Sequence, residues 1–137
     1  MSLPAAAACR APILPANATA VLTGKTPSAC VDVPAEAYSY AATQLVATIE
    51  ETKNSAATAF ILNVEIVGGE KEPKTVGRIT TYPAGKAARF AVNLGGRLIR
   101  GVHGQQVRFT VLPMHGPELP GELEVRISQL VWSEEPR

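Results

Sequence analysis

Apolar side chains recur at every second position in four separate runs of this 137-residue chain. Phe60, Leu62, Val64 and Ile66 form one, and Phe90, Val92 and Leu94 a second. Val107, Phe109 and Val111 form a third, and Leu123, Val125 and Ile127 a fourth. A helix would scatter such residues around its circumference. A strand sends alternate side chains to opposite faces, so each run puts one apolar face toward a core. Shorter β-branched runs between Gly, Pro, Asn and Lys breaks extend the pattern, and strands are expected over 18–22, 29–33, 44–50, 57–67, 75–82, 87–94, 106–112 and 122–132. In the last of these Leu130 and Trp132 change parity relative to Ile127. One inserted residue near Ser128-Gln129 would restore both halves to the same face, which predicts a β-bulge there.

Eight strands with a single short helical candidate, GGRLIRGV at 95–102, predict an all-β domain. At this length two antiparallel sheets packed face to face bury the apolar faces, as a jelly-roll or an immunoglobulin-like sandwich. GGEKEPK at 68–74 has the composition of a hairpin tip, and Pro83, Pro113, Pro117 and Pro120 sit at strand ends, where a missing N–H does least harm. Residues 1–17, rich in Ala and Pro, are read as a flexible arm or linker, and 18–137 as one sandwich domain.

The formal net charge is only +1, but its distribution is uneven. Lys74, Arg78, Lys86, Arg89, Arg97, Arg100 and Arg108 follow one another with no carboxylate between them, and glutamates dominate from Glu118 onward. Only Tyr82 and Phe90 fall among them, too few for a stacking platform, so the basic run is read as a solvated strand face and no nucleic-acid partner is expected. No stretch approaches the roughly 18–20 apolar residues of a membrane-spanning helix. The N-terminal MSLPAAAACRAPILP lacks a basic start and is interrupted by prolines, unlike a secretory signal. Cys9 and Cys30 lie 21 positions apart. They are too few for a disulfide framework; they could bridge in an oxidising compartment, but free thiols are the favoured expectation.

Catalytic and metal-binding patterns are hard to assemble from these residues. A zinc or copper site needs several histidines or thiolates converging on one point. The two histidines, His103 and His115, flank the 106–112 strand, which at a rise of about 3.3 Å per residue holds its ends roughly 20 Å apart. There is no G-x-S-x-G elbow, and the glycine pairs lack the strand–loop–helix setting of a phosphate cradle. Glu50 and Glu51, adjacent on a strand, point to opposite faces. Asn17-Ala18-Thr19 matches a glycosylation acceptor, a pattern that matters only in a secreted eukaryotic chain. The chain is therefore not expected to be an enzyme on its own, nor to bind a cofactor or metal.

The succession AFILNVEIV, VGRITTYPAG, RFAVNLGGRLI, VRFTVLPMHG and LEVRISQLV, with AVLTGKTPSACVDVP and QLVATIEE upstream, resembles the C-terminal β-domain of polyphenol oxidases and tyrosinase-like type-3 copper proteins over residues 18–132. Where that family carries Lys-Phe-Asp-Val, this chain has Ile61-Leu62-Asn63-Val64, and Tyr38-Ser39-Tyr40 falls outside the place of the family's Tyr-x-Tyr. The resemblance implies a non-catalytic accessory domain that packs on a dicopper catalytic domain, whose copper ligands lie outside this segment, and limits access to it. It implies an exposed loop carrying an apolar side chain toward the copper pocket. Two loops have suitable residues: 112–120, with Leu112, Met114, His115 and Leu119, and 95–101, with Leu98 and Ile99. The alternative is a free-standing β-sandwich module that binds protein or carbohydrate.

Overall fold

The structure, a computed structural model, describes residues 9, 11–50, 60–68, 73–80, 87–95, 98, 104–114, 119 and 122–135. Among the described residues nine strands are formed: β1 (Ile13–Leu14), β2 (Ala20–Thr23), β3 (Ser28–Asp32), β4 (Thr43–Ile49), β5 (Phe60–Val67), β6 (Lys74–Thr80), β7 (Ala88–Gly95), β8 (Gln106–Pro113) and β9 (Glu124–Glu134). Strands two to nine are the eight expected from the alternation. Residues 57–59 and 81–82, also expected in strands, lie outside the described residues, as does most of the helical candidate at 95–102. The 3-10 turn Ala35–Ser39 has no counterpart in the apolar periodicity.

The strands form two sheets, ordered β1-β3-β8-β5-β6 and β2-β9-β4-β7. The antiparallel pairs β5·β6, β4·β7, β3·β8 and β2·β9 are nested about the β5–β6 connection. One long hairpin, rolled so that successive pairs fall alternately into the two sheets, produces this order. It is the strand order of a jelly roll, which decides between the two sandwiches the sequence allowed.

The inward faces are those the alternation marked. Phe60, Leu62 and Val64 from β5 and Val107, Phe109 and Val111 from β8 meet Leu45 and Ile49 from β4 and Val125 and Ile127 from β9, all buried. Phe90, expected in the core, is only half-buried and packs against its margin toward the start of edge strand β7, whereas Val92 and Leu94 further along the same strand are buried. The bulge in β9 falls where the parity change placed it. Thr48 pairs with Ser128 and Val46 with Val131, so one residue of β4 lies opposite two of β9, and Gln129 adopts φ 54°. Leu130 and Trp132 thereby return to the core.

Within the expected arm, Ile13–Leu14 forms β1, which runs parallel to β3 with Ile13 beside Cys30. The Cys30 N–H donates to the Pro12 carbonyl (2.9 Å), and the indole N–H of Trp132 donates to the Ala16 carbonyl (2.8 Å). Free thiols, favoured on the cysteine count, give way to a Cys9–Cys30 disulfide with a Cα–Cα distance of 6.6 Å. The physical reason is the parallel alignment of β1 with β3. It returns the chain to Cys30 from a start 21 residues earlier, which no spacing rule could reveal.

Candidate docking site

The candidate loop 112–120 leaves the end of β8, and the local hydrogen bonding explains why that end is fixed. The turn between β2 and β3 closes on itself, with the Thr23 N–H donating to the Thr26 carbonyl (3.0 Å) and the Thr26 N–H to Thr23 Oγ1 (2.9 Å). The Val111 N–H reaches the Pro27 carbonyl (2.9 Å), and the Ser28 and Thr110 hydroxyls share a hydrogen bond of 2.9 Å. These bonds tie β8 to the turn up to the residue before Leu112. Beside them lies an open groove of about 440 Å³, lined by Gly24, Pro27, Thr110, Val111, Leu112, Pro113 and Leu119.

The residues named from sequence fall on and around this groove unequally. Leu112 and Leu119 line it, and both are half-buried; Met114, equally half-buried, follows Pro113 directly. Leu119 also packs against the core. Leu98 is 8% exposed and a member of the core, so it is not the spare surface aliphatic its glycine-flanked setting suggested. Ile99, His115 and His103 lie outside the described residues. Gly24, Pro27 and Thr110 were not singled out from sequence. They reach the groove through the β2–β3 turn and the β3–β8 pairing, and carry no chemical signature of their own.

Electrostatics around the five-stranded sheet divide the basic run. Arg108 on β8 faces Glu65 on β5, with its Nε and Nη2 donating to the same carboxylate oxygen at 3.1 and 3.0 Å, both side chains mostly shielded from water. Its charge is thereby neutralised. Lys74 and Arg78 on β6 and Arg89 on β7 are exposed, on the two strands that end the sheets on one side of the sandwich. One row from Glu65, Asn63 pairs in register with Thr110 and Arg78, and its Oδ1 is buried without a hydrogen-bond partner. Tyr38, on the 3-10 turn, accepts a hydrogen bond from the Gln105 N–H at 3.0 Å. Burial raises its pKa above 10.0, partly opposed by the Gln105 hydrogen bonding and helped slightly by nearby Asp32.

Among the described residues no three His, Cys, Asp or Glu side chains are gathered as metal ligands would be. What the groove offers is shape and a mixed polar and apolar lining on a fixed backbone. No protein-family model matches the chain, and no curated protein matches it.

Proposed function

We propose that this chain is a non-catalytic accessory domain that docks on a dicopper oxidase core and limits access to it, as its resemblance to the C-terminal domain of polyphenol oxidases and tyrosinase-like proteins implies. The observation that carries this reading is the end of β8. Hydrogen bonds fix the strand to the β2–β3 turn, and immediately afterwards the chain offers half-exposed Leu112 and Met114 beside a groove. A cover over a reactive centre needs a bulky, chemically inert side chain whose position does not wander. An aliphatic or thioether group projecting from a tethered strand end meets that need, and its burial against a partner removes apolar surface from water. Exposed Lys74, Arg78 and Arg89 would steer the domain toward an acidic rim on the core.

The test is catechol oxidation by a dicopper phenol oxidase core that lacks its own C-terminal domain, with and without this chain added. The chain should lower the rate in a saturable way. Met114→Asp should weaken that inhibition about tenfold or more, because a carboxylate buried at a dry interface costs several kcal/mol. An unchanged rate together with no detectable binding would refute the shielding role.

One observation favours a second reading, a free-standing binding module. Val131 is 48% and Val21 36% exposed on the outer face of the four-stranded sheet, and Val131 pairs in register with half-buried Val46. A protein partner suits this reading, because the large hydrophobic side chains exposed on that face, Val21 and Val131, are aliphatic. Val131→Asp rather than Met114→Asp would then abolish the interaction.

A further inference from the structure

The N-terminal segment covers the outer edge of β3, and a single covalent bond fastens its far end. We infer that this edge is a redox-gated strand-addition site whose partner, once the disulfide is reduced, is the N-terminal segment of a second copy of the chain.

Residues 9 and 11–16 are held by the Cys9–Cys30 bridge, the Cys30 N–H to Pro12 carbonyl hydrogen bond, the two-residue parallel pairing of β1 with β3, the Trp132 indole bond to the Ala16 carbonyl, and the packing of half-buried Leu14 and Ala16 against the core. A parallel ladder of two residues is too short to persist alone, and Ile13 within it is 52% exposed. The disulfide is the covalent member of this set, and its reduction leaves the segment on the short ladder, two hydrogen bonds and the packing of Leu14 and Ala16 alone. Beneath it, Cys30 is fully buried, and among the described residues no strand other than β1 lies on that side of β3. An uncovered edge of this kind is a template for another extended segment.

The identity of the partner follows from what the edge already accepts. It takes Pro12–Leu14 in one register, and a second copy offers the same residues with the same side chains. Exchange needs only a hinge between β1 and β2. The connection there contains Pro15 and the single turn closed by the Ala18 N–H to Pro15 carbonyl bond of 3.1 Å, so few contacts must be broken to swing the segment outward. Reduction by a dithiol transfers two electrons and two protons to the bridge, leaves Cys9 and Cys30 as thiols and releases the reductant as its cyclic disulfide. Reoxidation of the exchanged pair by an added disulfide such as oxidised glutathione moves two electrons and two protons per bridge to that reagent, which leaves as two thiols, and forms Cys9–Cys30 bonds between chains.

The test uses the full chain in its oxidised form and the same chain held in dithiothreitol, followed by four readouts. Trp132 is the only tryptophan and loses its Ala16 partner when the segment leaves, so its emission should shift to the red on reduction of dilute protein and recover at concentrations where a second copy's segment supplies the Ala16 carbonyl. In the same dilute, reduced sample Cys30 should become alkylatable by iodoacetamide while the far-UV spectrum stays that of a β-sheet protein. Light scattering should show a monomer when oxidised and a concentration-dependent dimer when reduced. Reoxidation at high protein concentration should give a covalent dimer on a non-reducing gel, and Cys9→Ser should abolish it. Unchanged Trp132 emission with Cys30 protected in dilute, reduced protein would overturn the gate, as would global unfolding on reduction. A reduced chain that opens but stays monomeric up to the millimolar range, where an intrachain segment would be matched by an external one, would overturn the choice of partner.

Discussion

Asn63 is polar, faces outward from β5, and holds an acceptor that is both buried and unpaired. Such an atom has lost its water and gained nothing, at a cost of about 1–3 kcal/mol. Asn63→Val should therefore stabilise the protein, by about 1 kcal/mol in chemical denaturation, with added benefit from a β-branched residue in a strand. Inward positions carry the opposite sign. Phe109, fully buried at the middle of β8, leaves a cavity when truncated, and Phe109→Ala should cost about 3–5 kcal/mol. Gly68 is a backbone case. It closes β5 with φ 91°, and a Cβ there would lie 3.1 Å from the Gly104 carbonyl oxygen. Gly68→Ala should cost about 1–2 kcal/mol from the left-handed conformation alone, read in the same denaturation assay. Tyr38 sets a pH limit. Its phenol has a folded pKa raised above 10.0, so the unfolded chain releases this proton first as pH rises, and the native state is progressively weakened above that value. Absorbance titration should show one tyrosine ionising later than in the unfolded chain, and Tyr38→Phe should remove the difference.

At the scale of elements, what sequence revealed was whatever the period of two could carry. The alternation in β5, β8 and β9 identifies the buried face of each strand, and the parity change at Leu130 identifies the bulge, because a slip of one residue moves every later side chain to the other face. Neither signal reaches the N-terminal segment. Ile13 and Leu14 between Pro12 and Pro15 are too short to show a period, and the bridge from Cys9 depends on a pairing made 21 positions later. The groove was legible only in half. The proline-rich stretch after β8 marked a strand end with aliphatic residues, but its other wall comes from the β2–β3 turn, which local sequence does not connect to it. Leu98 was misplaced for a related reason: flanking glycines suggest exposure, whereas its burial depends on where the loop folds back. The magnitude of the disulfide contribution is testable separately. Closing a loop of this separation removes unfolded-chain entropy worth about 3 kcal/mol, so the Cys9→Ser/Cys30→Ser double variant should melt roughly 10 °C lower.

The whole molecule is one rolled hairpin, and that topology orders the way it folds. The innermost pair, β5·β6, joins segments close in sequence, whereas β2·β9 joins Ala20–Thr23 to Glu124–Ile127 across most of the chain. Closing a longer loop costs more entropy before any contact repays it, and every inner pair already formed shortens the loop that remains for the next. A sandwich of mainly non-local pairs should therefore fold slowly, in milliseconds to seconds, with the outer pair formed last. Two truncations separate this order from its reverse. Val64 lies on β5 opposite both Gly77 of β6 and Phe109 of β8, and Leu22 lies on β2 opposite Val125 of β9; both are fully buried. If the inner pairs form the folding nucleus, Val64→Ala should mainly slow folding, and Leu22→Ala should mainly speed unfolding while leaving the folding rate nearly unchanged. Stopped-flow measurements of both arms of the denaturant dependence, with the disulfide intact, would give the two ratios directly. A high value at Leu22 with a low value at Val64 would mean that the chain is seeded from its termini, and the nested order would have to be abandoned.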